Sequence, residues 1–179
     1  MMLWLLALAA SVMSCGGGSS TDEKAVPDAP SEITVSSSAF QDGQPIPARF
    51  TCDGAGEAPP LSWKGVPDDA AALALVVDDP DAPGGTYVHW EVLDMPVETT
   101  GLEDGALPTG AVEAKNSAGR AAYAGPCPPS GTHHYRFTIY AMSAPTGLDA
   151  DAGLDKALAG IEASATAQGR LVGTYAKSN

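Results

Sequence analysis

The chain has 179 residues and a formal net charge of −13 at pH 7, because 22 Asp and Glu residues outnumber nine Lys and Arg residues. A protein that binds nucleic acid needs a basic surface to neutralise phosphates, and these few basic residues form no cluster, so nucleic acid is excluded as a partner. An acidic body is also repelled by anionic lipid surfaces. We therefore expect the folded part to make no direct contact with a bilayer.

Residues 1–14 predict an export signal that is not part of the fold. Residues 3–10 form an apolar run that is too short to span a bilayer as a helix. The following Val-Met-Ser-Cys is typical of a bacterial lipobox, in which Cys15 becomes the lipidated first residue of the mature protein. No Lys or Arg precedes the run, so an uncleaved anchor and an ordinary secretory signal stay open as alternatives. The prediction is an exported lipoprotein that faces the periplasm or the cell exterior and reaches the membrane only through its lipid.

Residues 15–31 predict a flexible tether that follows the lipidated cysteine. They are rich in Gly, Ser, Asp, Ala and Pro and offer little apolar surface to bury. Residues 32–179 are a suitable length for one domain with one core.

Short apolar runs between frequent turn signals predict strands in this domain. Residues 72–79 are almost continuously apolar, which is typical of a central strand buried on both faces. Residues 87–95 and 134–142 predict two further strong strands, and weaker ones are predicted at residues 33–36, 61–63 and 171–176. Several short strands separated by turns favour an all-β sandwich or barrel.

The spacing of apolar residues predicts which side chains share a face of one strand and which form the buried stripe of one helix. In the strand at residues 134–142, Tyr135, Phe137 and Ile139 point to one face, and Arg136, Thr138 and Tyr140 point to the other. One helix is predicted from a single apolar stripe made by Leu154, Leu158, Ile161 and Ala165. Asp149 or Asp151 is expected to cap its start, and Gly169 is expected to end it.

Two rigid loops precede strands that carry histidines. Asp-Pro-Asp-Ala-Pro at residues 79–83 precedes His89, and the Pro/Gly loop at residues 125–131 precedes His133 and Tyr135. On the two-residue period of a strand, His89 shares a face with Tyr87 and Glu91, and His133 shares a face with Tyr135. If these strands are neighbours, Asp79, Asp81, the two imidazoles and the phenol converge on one small cavity.

This set of groups favours an anionic ligand. Imidazole N–H and phenol O–H groups donate to phosphoryl oxygens, and the N–H groups of a glycine-rich loop add further donors. Asp79 or Asp81 would either fix the tautomer of a histidine or receive an ammonium group of the ligand.

The two loops, together with Phe-Thr-Cys-Asp-Gly at 50–54, Pro-Pro-Leu-Ser-Trp at 59–63 and Leu-Val-Gly-Thr-Tyr at 171–175, resemble the phosphatidylethanolamine-binding protein family, in its bacterial Raf-kinase-inhibitor-like branch. The resemblance runs from about Ile33 to Lys177. It implies a mainly β fold, a single antiparallel β-sandwich-like domain with one or two peripheral helices. It also implies a ligand pocket, at the positions Asp79, Asp81, His89, Gly125, Pro126, His133 and Tyr135. His134 stands where the family normally has an arginine, and we place it on the outward face without a role in the site.

If Cys15 is lipidated, two cysteines remain, Cys52 and Cys127, and both stand beside the pocket motifs. In an exported chain, two such cysteines can form a disulfide that persists. The resemblance places cysteines at these positions in cytosolic relatives too. A disulfide and two free thiols that line the site are therefore both open.

We predict a binding protein that is not an enzyme and that needs no cofactor or metal. Its ligand is a small anion that resembles phosphate or phosphoethanolamine. The main alternative, which the resemblance implies, is an extracytoplasmic protein that inhibits or modulates a protein partner such as a kinase or a protease. A metal site made of His89, His133 and Asp81 ranks lower because the ligands have no short spacing motif. A hydrolase with Cys127 as nucleophile and His133 as base ranks lower still because nothing in the sequence activates that thiol.

Overall fold

The computed structural model describes residues 26–177, so the predicted signal peptide and Cys15 lie outside the described residues. The elements are β1 (Thr34–Ser36), a 3₁₀ turn (Ala48–Phe50), β2 (Leu61–Lys64), β3 (Ala72–Asp79), β4 (Tyr87–Met95), β5 (Gly101–Leu102), β6 (Val112–Ala114), β7 (Thr132–Met142), α1 (Leu154–Ser164) and β8 (Ala165–Ala176). Within this part of the chain, no helix is long and apolar enough to cross a membrane.

A five-stranded sheet with β3 at its centre organises the fold. Its strand order is β6-β4-β3-β7-β8, and a second, three-stranded sheet has the order β1-β2-β5. Every strand pair in the two sheets is antiparallel. Each residue of β3 is buried, as its continuous apolar run predicts, because neighbouring layers cover both faces of the sheet. The prediction of a mainly β, sandwich-like domain is confirmed.

The two faces of the main sheet pack in two separate cores. On one face, Phe137 and Ile139 of β7 pack with Leu61 and Trp63 of the small sheet. On the other face, Tyr140 of β7 packs in a cluster with the α1 side chains Ala157, Leu158 and Ile161. The alternation predicted for this strand is confirmed, and it explains how one strand serves both cores.

The predicted ends of the helix are wrong. Gly153 occupies the N-cap without a side-chain hydrogen bond, in place of Asp149 or Asp151. The helix ends at Ser164, and Gly169 lies inside β8, opposite Ile139. A Cβ at Gly169 would lie 2.0 Å from the carbonyl oxygen of Ile33, so this glycine permits a close approach of two backbones rather than ending a helix.

The segment at residues 26–31 contacts the domain, whereas the sequence predicts a free tether up to residue 31. Val26 packs against the helix-side core, and the carbonyl of Pro27 accepts a hydrogen bond of 2.7 Å from the Tyr140 hydroxyl. Gln168 donates its amide N–H to the Asp28 carboxylate at 2.6 Å and its backbone N–H to the Pro30 carbonyl at 2.8 Å. These bonds fix a segment whose composition offers little to bury.

A β-bulge in β4 changes the face on which His89 lies. Val77 of β3 pairs with Trp90, but the next residue, Asp78, pairs with Val88, so His89 is an extra residue between the two pairs. Glu91 pairs with Val76, which packs in the helix-side core. The prediction that His89 and Glu91 share a face is therefore wrong, because the bulge interrupts the two-residue period.

Candidate functional site

A cavity of about 550 Å³ opens at the edge of the main sheet, where β3 ends and β4 and β7 begin. Because β3 lies between β4 and β7, side chains from three neighbouring strand ends meet there. Its polar lining includes Asp79, His89, Arg120, Tyr123, His133 and Tyr135.

Asp79 and His133 form a buried pair in the wall of the cavity. His133 Nδ1 lies 2.7 Å from Asp79 Oδ2, and the second carboxylate oxygen accepts the backbone N–H of Asp81 at 2.8 Å. The carboxylate fixes the proton of His133 on Nδ1. No described residue bonds to Nε2 of His133, which leaves this atom for a ligand.

His89 is held by the neighbouring loop rather than by a carboxylate. Its Nδ1 lies 2.7 Å from the carbonyl oxygen of Ala124, which can only accept, so the proton of neutral His89 is on Nδ1. Burial lowers the pKa of His89 below its ordinary value of 6.5, and the Ala124 carbonyl and the Asp79 charge oppose this shift. Neutral His89 therefore presents the lone pair of Nε2 to the cavity. The prediction of imidazole N–H donors holds only for the protonated rings.

Tyr135 supplies a donor that does not depend on pH near neutrality. Its side chain is fully buried, and its hydroxyl makes no hydrogen bond within 3.5 Å to residues 26–177, although Asp79 and the backbone N–H of Cys127 lie near it. Burial, together with the charge of Asp79, raises the pKa of Tyr135, so the phenol keeps its proton. A buried hydroxyl without a partner is costly unless a ligand or water meets it. The ring also contacts His89 edge to face, with the centroids 5.3 Å apart.

Asp81 and Pro126 lie beside the cavity but not in its lining, which differs from the expected ligand set. The carboxylate of Asp81 turns to β7 and accepts from the backbone N–H and the Nδ1 of His134, at 2.8 and 2.7 Å. The hydrogen bonds from His134 lower the pKa of Asp81. His134 is exposed and does not line the cavity, as predicted, but it fastens the 79–83 loop to β7. Gly125, in contrast, lines the cavity as expected.

A disulfide joins Cys52 and Cys127, with the Cα atoms 5.4 Å apart, and both cysteines line the cavity. The backbone N–H of Cys52 donates to the carbonyl of Pro126 at 3.0 Å, which is the contribution of this proline to the site. Because the sulfur of Cys127 is in the disulfide, it is not available as the nucleophile considered above. The alternative metal site also fails to assemble, because the carboxylate of Asp81 binds His134 instead of facing His89 and His133.

The loop at residues 116–124, which contributes Arg120 and Tyr123 to the cavity, escaped the sequence analysis. Arg120 lines the cavity, and its guanidinium has no hydrogen-bond or ion-pair partner among the described residues. Asn116 is buried and organises the loop that carries Arg120. Its Oδ1 accepts the backbone N–H groups of Ala118 and Arg120, and its Nδ2 donates to the carbonyls of Ala122 and His89. The Asn-Ser-Ala-Gly turn at residues 116–119 is the sequence signal that could have pointed to this loop.

Comparisons with known proteins agree on one family. The family model described as phosphatidylethanolamine-binding protein matches residues 36–176. The candidate lipoprotein LppC of Mycobacterium tuberculosis is 43% identical over 186 residues, which cover 95% of this chain and 92% of that protein. Two crystal structures have the same fold. A homologue of the family from Chlamydia trachomatis, CT736, has a TM-score of 0.76, 35% identity and coverage of 82% of this chain and 98% of its own. E. coli YbcL, described as a new member of the mammalian family, has a TM-score of 0.77, 31% identity and coverage of 83% and 100%.

Proposed function

The chain belongs to the phosphatidylethanolamine-binding protein family, and we propose that it is a binding protein whose cavity holds the phosphoryl or similar anionic group of a small ligand. The observation that carries the proposal is the convergence of the Asp79–His133 pair, His89 and the unpartnered Tyr135 hydroxyl on one cavity. These groups come from the ends of β3, β4 and β7, and each imidazole has only one ring nitrogen bonded to a described residue.

Each group has a separate role toward an anion. The Tyr135 hydroxyl donates a hydrogen bond whatever the protonation state of the histidines. When His133 is protonated, its Nε2–H donates to the ligand while Asp79 balances the positive charge on the ring. Arg120 adds a cation at the rim of the cavity. Local donors are needed because the chain as a whole has a net charge of −13, which repels anions.

A titration of the full chain with inorganic phosphate, followed by calorimetry at pH 7, tests this proposal. Tyr135→Phe should weaken phosphate binding by about tenfold or more, since a hydrogen bond to a charged group contributes about 1.5–3 kcal/mol. Tyr140→Phe is the matched control, because it also removes a buried hydroxyl but lies in the helix-side core. If wild type binds neither phosphate nor phosphoethanolamine, or if both variants bind like wild type, the pocket is assigned wrongly.

We further propose that the domain is exported and held at the cell envelope through a lipid on Cys15. The support comes from the lipobox-like residues 12–15 and from the similarity to a protein named as a candidate lipoprotein. In cells fed with a labelled fatty acid, the wild-type chain should carry label and sediment with membranes. Cys15→Ser should lose both properties. Equal labelling of the two chains would contradict lipidation at this residue.

A further inference from the structure

We propose that the cavity selects phosphomonoesters over phosphodiesters and that Arg120 is a specificity-determining residue for this choice, an inference that rests on the binding function proposed above. The shared chemistry is a phosphoryl group. The two classes differ in whether that group carries an ionisable hydroxyl, as a free phosphomonoester does, or two ester bonds, as a membrane lipid does.

The tautomer of His89 is the first reason. Its Nδ1–H is committed to the Ala124 carbonyl, so Nε2 faces the ligand as an acceptor. A phosphomonoester has a second ionisation near pH 6 and can bring its own proton, which His89 Nε2 and a phosphoryl oxygen then share. A phosphodiester has no such proton, so a proton must come from solvent to a ring that burial keeps neutral. His133 is paired with Asp79 for either ligand, so the two classes differ at His89.

The charge balance of the cavity is the second reason. Asp79 is the only acidic side chain of the lining and is paired with His133, whereas Arg120 is a cation on the lining without a partner among residues 26–177. The other three arginines are engaged with Glu57, Asp78 and Thr138 outside the lining. A guanidinium binds phosphoryl oxygens in a bidentate manner. When the proton of the monoester lies on His89 Nε2, the phosphoryl group is a dianion, and its Coulomb attraction to Arg120 is twice that of a diester monoanion.

Arg120 and His89 belong to one hydrogen-bonded unit, so they can act together on a ligand. The backbone N–H of Arg120 donates to Asn116 Oδ1 at 3.1 Å, and the Arg120 carbonyl accepts from the Asn116 N–H at 2.9 Å. The carbonyl of His89 accepts from Asn116 Nδ2 at 3.3 Å and from the Ala124 N–H at 3.0 Å. The loop therefore fixes the position of the Arg120 backbone relative to the backbone of His89.

The path of the N-terminal segment also favours a ligand that is free in solution. Val26 and Pro27 pack on the helix-side face, where Pro27 contacts Tyr140. Tyr140 is seven residues from His133 along β7, which corresponds to about 23 Å. Val26 and Pro27 thus lie on the opposite face and at the opposite end of the sheet from the cavity, so they do not cover its opening. This part of the chain therefore leaves the cavity open to a soluble ligand.

The test compares two soluble ligands that share the ethanolamine group. Phosphoethanolamine is a monoester, and glycerophosphoethanolamine is a diester. Calorimetry on the full chain at pH 7 should give at least about tenfold tighter binding of the monoester. Arg120→Gln should reduce this ratio several-fold, and Arg120→Lys should retain part of it because the charge remains. Lys156→Gln, which removes an exposed charge on α1, is the matched control and should leave the ratio unchanged.

The outcomes separate the two proposals. Equal affinity for both esters, or a ratio that Arg120→Gln leaves unchanged, overturns the selection while the binding function stands. Tighter binding to phosphatidylethanolamine vesicles than to the monoester overturns it too and indicates a lipid ligand. If wild type binds neither ester nor inorganic phosphate, both proposals fall. Arg120 is exposed, so its variants should unfold at the wild-type temperature, which circular dichroism checks.

Discussion

Replacement of both Cys52 and Cys127 by serine should lower the free energy of unfolding by about 4 kcal/mol. The disulfide joins residues that are 75 positions apart. In the chain-entropy account, a loop of this length removes about 15 cal/mol/K from the unfolded ensemble, which corresponds to about 4.5 kcal/mol at 25 °C. The folded loops should keep their positions, because the N–H of Cys52 still donates to the Pro126 carbonyl and the Tyr123 hydroxyl still donates to the Phe50 carbonyl. The loss therefore arises mainly in the unfolded state.

Urea and thermal unfolding of the two proteins measure this difference. A change of 1 kcal/mol shifts the melting temperature of a chain of this size by about 2–4 °C, so the double variant should melt about 8–16 °C lower. Wild type treated with a reductant should approach the variant, and the same reductant should not affect the variant. A free energy within about 1 kcal/mol of the wild-type value would refute the reasoning, because it would mean that the crosslink does not restrict the unfolded chain.

Three further predictions concern single side chains. Asn116→Ala removes four hydrogen bonds from the loop of the cavity and should cost about 2–4 kcal/mol in urea unfolding, with weaker phosphate binding; an unchanged midpoint would contradict its role. Burial raises the pKa of Tyr140 from its ordinary value of 10.0 to about 12, so the unfolded chain loses this proton first and stability falls between pH 10 and 12. Tyr140→Phe should remove about 2 kcal/mol of that alkaline loss at pH 11.5, and equal losses in both proteins at this pH would argue against it. Nitrogen NMR should show the proton of His89 on Nδ1 and a pKa below 6.5. With this lowered pKa, the unfolded chain takes up a proton on His89 at a higher pH than the folded chain does, so His89 destabilises the fold as the pH falls below 6.5. A measured pKa of His89 above 6.5 would contradict this assignment.

The strands could be predicted because their signals are local. The apolar run that forms β3 and the alternation along β7 reflect which faces are covered, and each is visible within ten residues of sequence. The end of α1 could not be predicted from Gly169, because long-range pairing of β8 with β7 extends the strand back to Ala165. The approach of Ile33 to Gly169 is likewise a contact between distant parts of the chain.

The same contrast between local signals and long-range contacts applies to the site. Asp79, His89, His133 and Tyr135 could be expected to meet, since each stands at the end of a predicted strand beside a rigid loop. The position of Asp81 could not be deduced from its motif, because its partner His134 is 53 residues away. Arg120 stands in a turn without strand periodicity, so nothing local marks it as part of the cavity.

The sequence by itself determined the family, the strand core and the residue types of the pocket, because apolar periodicity and loop motifs are properties of short segments. Only the tertiary structure decided which nitrogen of each imidazole faces the ligand. That choice depends on the Ala124 carbonyl for His89 and on the Asp79 carboxylate for His133, which lie 35 and 54 residues from the rings they hold. Hydrogen bonds between residues so far apart in sequence depend on the order of the strands in the sheet, and no single short segment of the sequence determines that order.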